Sequence, residues 1–239
     1  MTPKHLRNII ATISFSTLLW SSPQVSATPI IDQKQLDISG GGLVITDFIT
    51  AANGANGLDG AQTFTVGVTG YLTRIDVPIR LSGGTGDLLF DIRPVIGGIP
   101  VNADNSALSA GAINSSLIPT SNPVGTTGWT TLNLTGQGIF VTAGEQLALA
   151  LRAQRNSATE LDFAWFFSAV DNPYAGGSNF LRGSNAGNVP VIPSWSTPSF
   201  NPLRDRGFIT YVDVREPSAL FLLGGALWIA CFWWRYFDH

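Results

Sequence analysis

Histidine, cysteine and methionine are nearly missing from this 239-residue chain, and where the few copies fall removes whole chemistries. Both histidines, His5 and His239, sit at the extreme ends, the one cysteine is Cys231, and the one methionine is Met1. Residues 28–214 contain none of the three. That stretch therefore has no Ser-His-Asp or Cys-His nucleophile, no His- or Cys-ligated zinc or copper and no disulfide. Its only lysine is Lys34, near its N-terminal end, so Schiff-base chemistry would rest on that residue alone. An enzyme built here would have to run on carboxylates, arginine and hydroxyls.

Charge is also sparse, at 12% of the chain. Residues 28–214 hold nine basic against fourteen acidic side chains, a net of −5, and no basic run. Nucleic acid binding lacks its electrostatic footprint. A two-carboxylate glycosidase survives as arithmetic. Most of these carboxylates, however, are aspartates, many of them in turns. Glu145 belongs to a turn leading into a strand, and Glu160 and Asp162 flank the start of another. No catalytic residue is assigned, and the expectation is a non-enzymatic protein.

Helical periodicity is the third absence: no long segment repeats at 3.6 residues, and 26 glycines interrupt the chain. Short alternating or β-rich runs recur instead at 43–49, 62–66, 71–81, 87–96, 129–134, 146–153, 161–170 and 207–214. Leu88, Phe90 and Ile92 make one inward row, while Leu147, Leu149 and Leu151 alternate with alanines. Phe163, Trp165 and Phe167 read as core. The expected fold is all-β, a jelly-roll-like antiparallel β-sandwich over residues 61–214. A segment at 28–60, with a first strand and an Asn/Gly loop, precedes it.

What the chain does have is two apolar ends. Lys4, His5 and Arg7 precede a mostly apolar stretch, and Val25-Ser26-Ala27 supplies small residues for signal peptidase, so residues 1–27 read as a signal peptide cut after Ala27. At the other end, the 16 residues from Ala219 to Trp234 carry no charge and end at Arg235. As a helix they would rise about 24 Å against a hydrocarbon core of about 30 Å. Aromatics flank Arg235, which fixes topology as an inside-facing cation. Cys231 lies within the run and reads as a small hydrophobe.

Glu216-Pro217-Ser218, the apolar run and Arg235 together resemble the PEP-CTERM sorting signal of exported bacterial proteins. Two features depart from that pattern: Arg215 stands where the first proline belongs, and the basic cluster has shrunk to Arg235. The resemblance implies an exosortase-type transpeptidase that cuts near Glu216, Pro217 and Ser218. The protein would be held transiently at the inner membrane and then passed to the cell surface or the extracellular matrix. The line from Gln62–Val66 through Leu72–Ile75, Asp87–Arg93 and Val141–Leu149, continuing into Pro173–Gly177 and Arg206–Asp213, is similar to exported "choice-of-anchor" β-sandwich domains. That resemblance implies a surface or matrix module and assigns no functional residue.

Two candidate sites stand out within the domain. Asn53, Asn56 and Asp59 lie on a glycine-rich stretch whose oxygens suit calcium, with Asp47 and Asp213 as further contributors. The commoner reading of the same stretch is an Asn/Gly turn. The segment 171–206 is long and poor in strand signals. Its Tyr174 and Trp195 would stack on a polysaccharide, with Arg182, Asn179 and Asn185 supplying hydrogen bonds. The reading favoured over that one is that Trp195 and Phe200 tuck the segment onto the sandwich. Apart from calcium no cofactor is implied. The partners expected are signal peptidase, the exosortase, the membrane and polysaccharide.

Overall fold

Period-2 alternation turns into strand pairing in the computed structural model, which describes residues 28–50, 54–156, 159–186, 194–198 and 204–214. The strands are β1 (Ile30–Gln35), β2 (Gly41–Thr50), β3 (Gly54–Thr65), β4 (Gly70–Val77), β5 (Ile79–Gly83), β6 (Gly86–Ile96) and β7 (Ile99–Pro100). They continue with β8 (Ser109–Asn114), β9 (Thr130–Asn133), β10 (Phe140–Val141), β11 (Gln146–Arg155), β12 (Leu161–Phe167), β13 (Asn179–Ala186) and β14 (Phe208–Asp213). Among the described residues the helical content is two 3-10 turns, Asp104–Ser106 and Ser115–Leu117.

All strand pairs are antiparallel, and the strands form two sheets. The smaller sheet runs β1-β14-β4-β10, with β9 also on β4. The larger runs β5-β12-β2-β3-β11-β6-β7, with β13 on β3 and β8 on β6. The described residues therefore form an all-β sandwich, and one hydrophobic core draws on both sheets. Leu88, Phe90, Ile92, Leu147, Leu149, Leu151, Phe163 and Trp165 come from the larger sheet, and Leu72, Ile75, Val77, Leu132, Phe208 and Val212 from the smaller. Each such side chain, once removed from water, contributes on the order of 1.5–3 kcal/mol. The inward rows expected in β6 and β11 are in this core, as are Phe163 and Trp165 of β12, while Phe167 is buried outside it.

Several elements differ from the sequence reading. The stretch 54–60, read as a loop, is the first half of β3, so a boundary between residues 60 and 61 falls inside a strand. Its backbone pairs with β2 on one side and β13 on the other, and its glycines permit close approach. A Cβ on Gly60 would lie 2.8 Å from the Arg206 Cζ. The run 71–81 is two strands, because Pro78 has no N–H to give a ladder. The segment 171–206 contributes β13, which follows β3 from Gln62 to Ala55. Finally, β1 and β8 were silent in the sequence. A register shift between Ile31 and Lys34 breaks the alternation of β1, and β8 (SAGAIN) has too few large apolar residues to show a pattern.

Among the described residues no helix is long and apolar enough to cross a membrane. Residues 1–27 including Ala27, the motif Glu216-Pro217-Ser218, the run to Trp234 and Arg235 all lie outside the described residues.

Candidate functional site

The two sheets treat their outer faces differently, and the face of the larger sheet is covered over β3, β6 and β13. On β6, Arg93 donates from Nη2 to the Asp91 Oδ2 at 2.8 Å and from Nη1 to the carbonyls of Val101 and Ala103 at 3.1 and 3.2 Å. On β13, Arg182 donates from Nε and Nη2 to the Asp59 Oδ2 of β3, at 3.1 and 2.8 Å, and from Nη1 to the Asn102 carbonyl at 3.2 Å. Both ion pairs thus converge on the connection after β7. Beside them, Ala61, Ala150, Phe180 and Trp195 form a second small core. The Arg182 Cζ lies 4.6 Å from the Trp195 ring centroid, and Ser196 pairs with Leu181 through backbone bonds of 2.8 and 2.9 Å.

This arrangement corrects the sugar-stacking expectation for segment 171–206. Trp195 and Arg182 are each 4% exposed, because the segment 194–198 lays the indole onto the sheet. The Tyr174 ring meets Phe208 edge-on at 5.0 Å, and its hydroxyl donates to the Gln33 Oε1 at 3.1 Å. Asn179 is buried as well, accepting from the Arg206 Nε at 2.8 Å. None of these offers an open aromatic face. Phe200 and the side chain of Asn185 lie outside the described residues.

The calcium candidates are not brought together either. Asp59 is 1% exposed and already occupied by Arg182, and burial pushes its carboxyl up against the opposing pull of that guanidinium. Asp47 accepts from the Arg155 backbone N–H at 3.1 Å, and Asp213 stands on the other sheet. Asn53 lies outside the described residues, while the backbone of Asn56, in β3, is opposite Phe48 of β2 and Asn185 of β13. Among the described residues no three acidic, histidine or cysteine side chains cluster so as to hold a metal ion.

A polar group lies between the sheets. The Arg206 N–H donates to the Gln62 Oε1 at 2.7 Å, Gln62 Nε2 donates to the Asp205 Oδ1 at 2.9 Å, and the Tyr174 N–H donates to the Asp205 Oδ2 at 3.1 Å. The Arg206 guanidinium sits 4.7 Å from the Trp165 ring centroid, fully buried, with Nη1 and Nη2 unpartnered. Burial pushes its pKa down to about 9. With no exposed atoms, this group braces the interior and cannot meet a solute.

The face of the smaller sheet is open, and that is where exposed aromatic and paired polar side chains meet. Tyr71 of β4 lies between Asp213 of β14 and Phe140 of β10 in the register, and its ring meets Phe140 edge-on at 5.3 Å. Phe140 is 56% exposed. The neighbouring row across the sheet is Ile31, Tyr211, Arg74 and Asn133, from β1, β14, β4 and β9. Arg74 donates from Nε to the Asp76 Oδ1 at 2.9 Å, its Nη2 bonds both the Asp76 Oδ2 and the Tyr211 hydroxyl, and its Cζ lies 4.1 Å over the Tyr211 ring. Asp76 also accepts from the Thr131 and Tyr211 hydroxyls, at 2.8 and 3.0 Å. The hydrogen bonds to Asp76 raise the Arg74 pKa above its ordinary value. Burial first, then the bond to Asp76, raises that of the Tyr211 phenol.

A bulge creates this face. Tyr211 pairs with Arg74 and Val212 with Leu72, so Thr73 is the extra residue on β4. Strict alternation would set Tyr71 and Arg74 on opposite sides; the bulge puts both outside. Sequence reasoning therefore missed Tyr71, Arg74, Asp76, Phe140 and Tyr211 as a group. The one legible signal was Arg74 and Asp76 at a two-residue spacing inside a strand.

No family model matches the chain, and comparison with curated proteins gave no match. Among solved structures, the chain is similar to the crystal structure of the cysteine protease and lectin-like domains of Cwp84, a surface layer associated protein of Clostridium difficile. Sequence identity is 12% and the TM-score 0.42, with 82% of this chain and 37% of that chain covered. The chain thus spans little more than a third of that protein's length, and a likeness at this level carries no functional argument.

Proposed function

We propose that this is an exported, non-enzymatic module of the cell surface or extracellular matrix, jelly-roll-like in topology and sorted through its PEP-CTERM-like tail. The observation that carries the reading is the match between two independent boundaries. The sandwich occupies Pro29–Val214 as one compact unit, and the apolar addresses read in the sequence begin on either side of those residues. In this reading Ala27 marks the signal peptidase cut and Glu216-Pro217-Ser218 the sorting cut. The apolar run holds the intermediate at the inner membrane, and Arg235 sets its orientation.

The arginine-bound aspartates support the non-enzymatic part. Asp59, Asp76 and Asp91 are each held by an arginine, which suits anchoring better than proton transfer. Mass spectrometry of the mature protein from its host tests the proposal. New termini near residue 28 and within 215–218 are expected. Recovery of the uncut chain in the soluble cytosolic fraction would overturn it.

A further inference from the structure

We infer that the open face of the smaller sheet binds a neutral polysaccharide chain, stacked on Phe140 with Tyr71 as its edge-on support and hydrogen-bonded by the Arg74, Asp76 and Tyr211 network. The inference deepens the surface-module reading and rests on it for access to such a polymer, but the binding chemistry comes from this face alone.

A pyranose ring offers two kinds of surface: C–H groups on its flat sides and hydroxyls around its rim. A protein that holds it needs an exposed aromatic ring beside polar groups of fixed direction. Phe140 supplies the first. Among the described residues it is the aromatic side chain left most open to solvent, and Tyr71 buttresses it edge-on. Two of the four tyrosines in the chain, Tyr71 and Tyr211, stand on this face.

The polar groups lie one bulged step along β4, roughly 7–10 Å from Tyr71 at the usual rise per residue. Arg74 is 44% exposed as a side chain yet held on two sides, by Asp76 and by the Tyr211 ring. A long, flexible side chain is thereby fixed before any ligand arrives, and the entropy cost of ordering it on binding is largely removed. The Thr131 hydroxyl bonded to Asp76 and the side chain of Asn133 line the same edge.

Charge selects the class of polymer. Arg74 and Asp76 neutralise each other, Lys34 of β1, opposite Ile209, offsets Asp213 beside Tyr71, and residues 28–214 carry a net of −5. Uronate-rich chains and nucleic acids would be repelled, so the fitting partner is an uncharged glycan.

The test uses the full-length chain in mild detergent micelles, with soluble xylan, mannan and mixed-linkage glucan as neutral probes and polygalacturonate as the acidic one. Affinity electrophoresis and calorimetry at neutral pH should show binding to at least one neutral polymer. Phe140→Ala and Arg74→Ala should each weaken it about tenfold, the scale of a hot-spot truncation. Val124→Ala, an exposed apolar change elsewhere, should leave it intact. Circular dichroism and melting confirm that each variant is folded. Two results overturn the inference: no neutral polymer bound, or binding unchanged in folded Phe140→Ala and Arg74→Ala. A preference for polygalacturonate would overturn its charge argument as well. The surface-module reading fails separately. A protein with both cuts that binds no glycan loses only this site, and an uncut cytosolic protein that binds glycan through Phe140 loses only the export reading.

Discussion

Each sheet carries an arginine and an aspartate two residues apart on one strand, bonded to each other on its outer face, and the two pairs have opposite fates. Arg93 with Asp91 is roofed by the connection after β7, and Arg93 is 1% exposed. Arg74 with Asp76 has no such roof, and the Arg74 side chain is 44% exposed. The pairing chemistry is the same in both; the cover differs. Under a roof, the guanidinium's remaining donors go to the carbonyls of Val101 and Ala103, and the pair becomes a brace for a loop. In the open, the guanidinium rests on an aromatic ring and keeps a side toward solvent. Covered pairs should therefore matter to stability, and open ones to recognition.

The largest test of that contrast is truncation of the two arginines. Arg93→Ala leaves a buried carboxylate and several carbonyls without their donor, and should cost about 3–5 kcal/mol of unfolding free energy. Arg74→Ala should cost about 1 kcal/mol or less, as for exposed pairs. Urea denaturation of both variants checks this, and equal losses would break the comparison.

The aromatic residues extend it. Trp195→Ala empties the small core under segment 194–198 and should destabilise by about 3–5 kcal/mol. Phe140→Ala, on the open face, should change stability by only about 0.5 kcal/mol. Thermal melts of the two variants would show a clear drop in Tm for the first alone. Next in size is Gly60→Ala. The new methyl would stand 2.8 Å from a guanidinium that is fully buried against Trp165, so its neighbours must shift. Overpacking of this kind costs about 1–3 kcal/mol, readable as a lower denaturation midpoint.

These contrasts also mark what the sequence could disclose. The sandwich was legible because rows such as Leu88, Phe90 and Ile92 need only alternation to declare an inward face. β3 was not, because its first half is Gly, Ala and Asn, and its strand character comes from neighbours on both sides rather than from its own residues. The covering of Trp195 was one of two readings that the segment allowed, since a tryptophan among Ser and Pro looks alike whether it stacks on sugar or on sheet. The open face was hidden by a single bulge at Thr73, which shifts the parity of β4 between Tyr71 and Arg74. Long-range register decides such matters, and no local window contains it.

The smallest effect concerns acid. Asp37, in the connection between β1 and β2, accepts from the Ser168 hydroxyl after β12 and from the hydroxyl and backbone N–H of Ser39. Those bonds, Ser168 first, hold its carboxyl below the ordinary value of 3.8. A carboxyl depressed by folding gives up its proton more readily in the folded chain than in the unfolded one. Its contribution is therefore fully present above the unfolded value and is lost as pH falls through the folded value. Asp37→Asn should leave the stability of the protein little changed in its dependence on pH from 5 to 7, and flatten the part of its acid limb below about pH 4 that this group supplies. Parallel urea titrations across that range would show the two curves converging as pH falls. Curves that stay a constant distance apart would mean that the Ser168 bond adds nothing specific to the ionised form, and that the cover over this end of β12 holds without it.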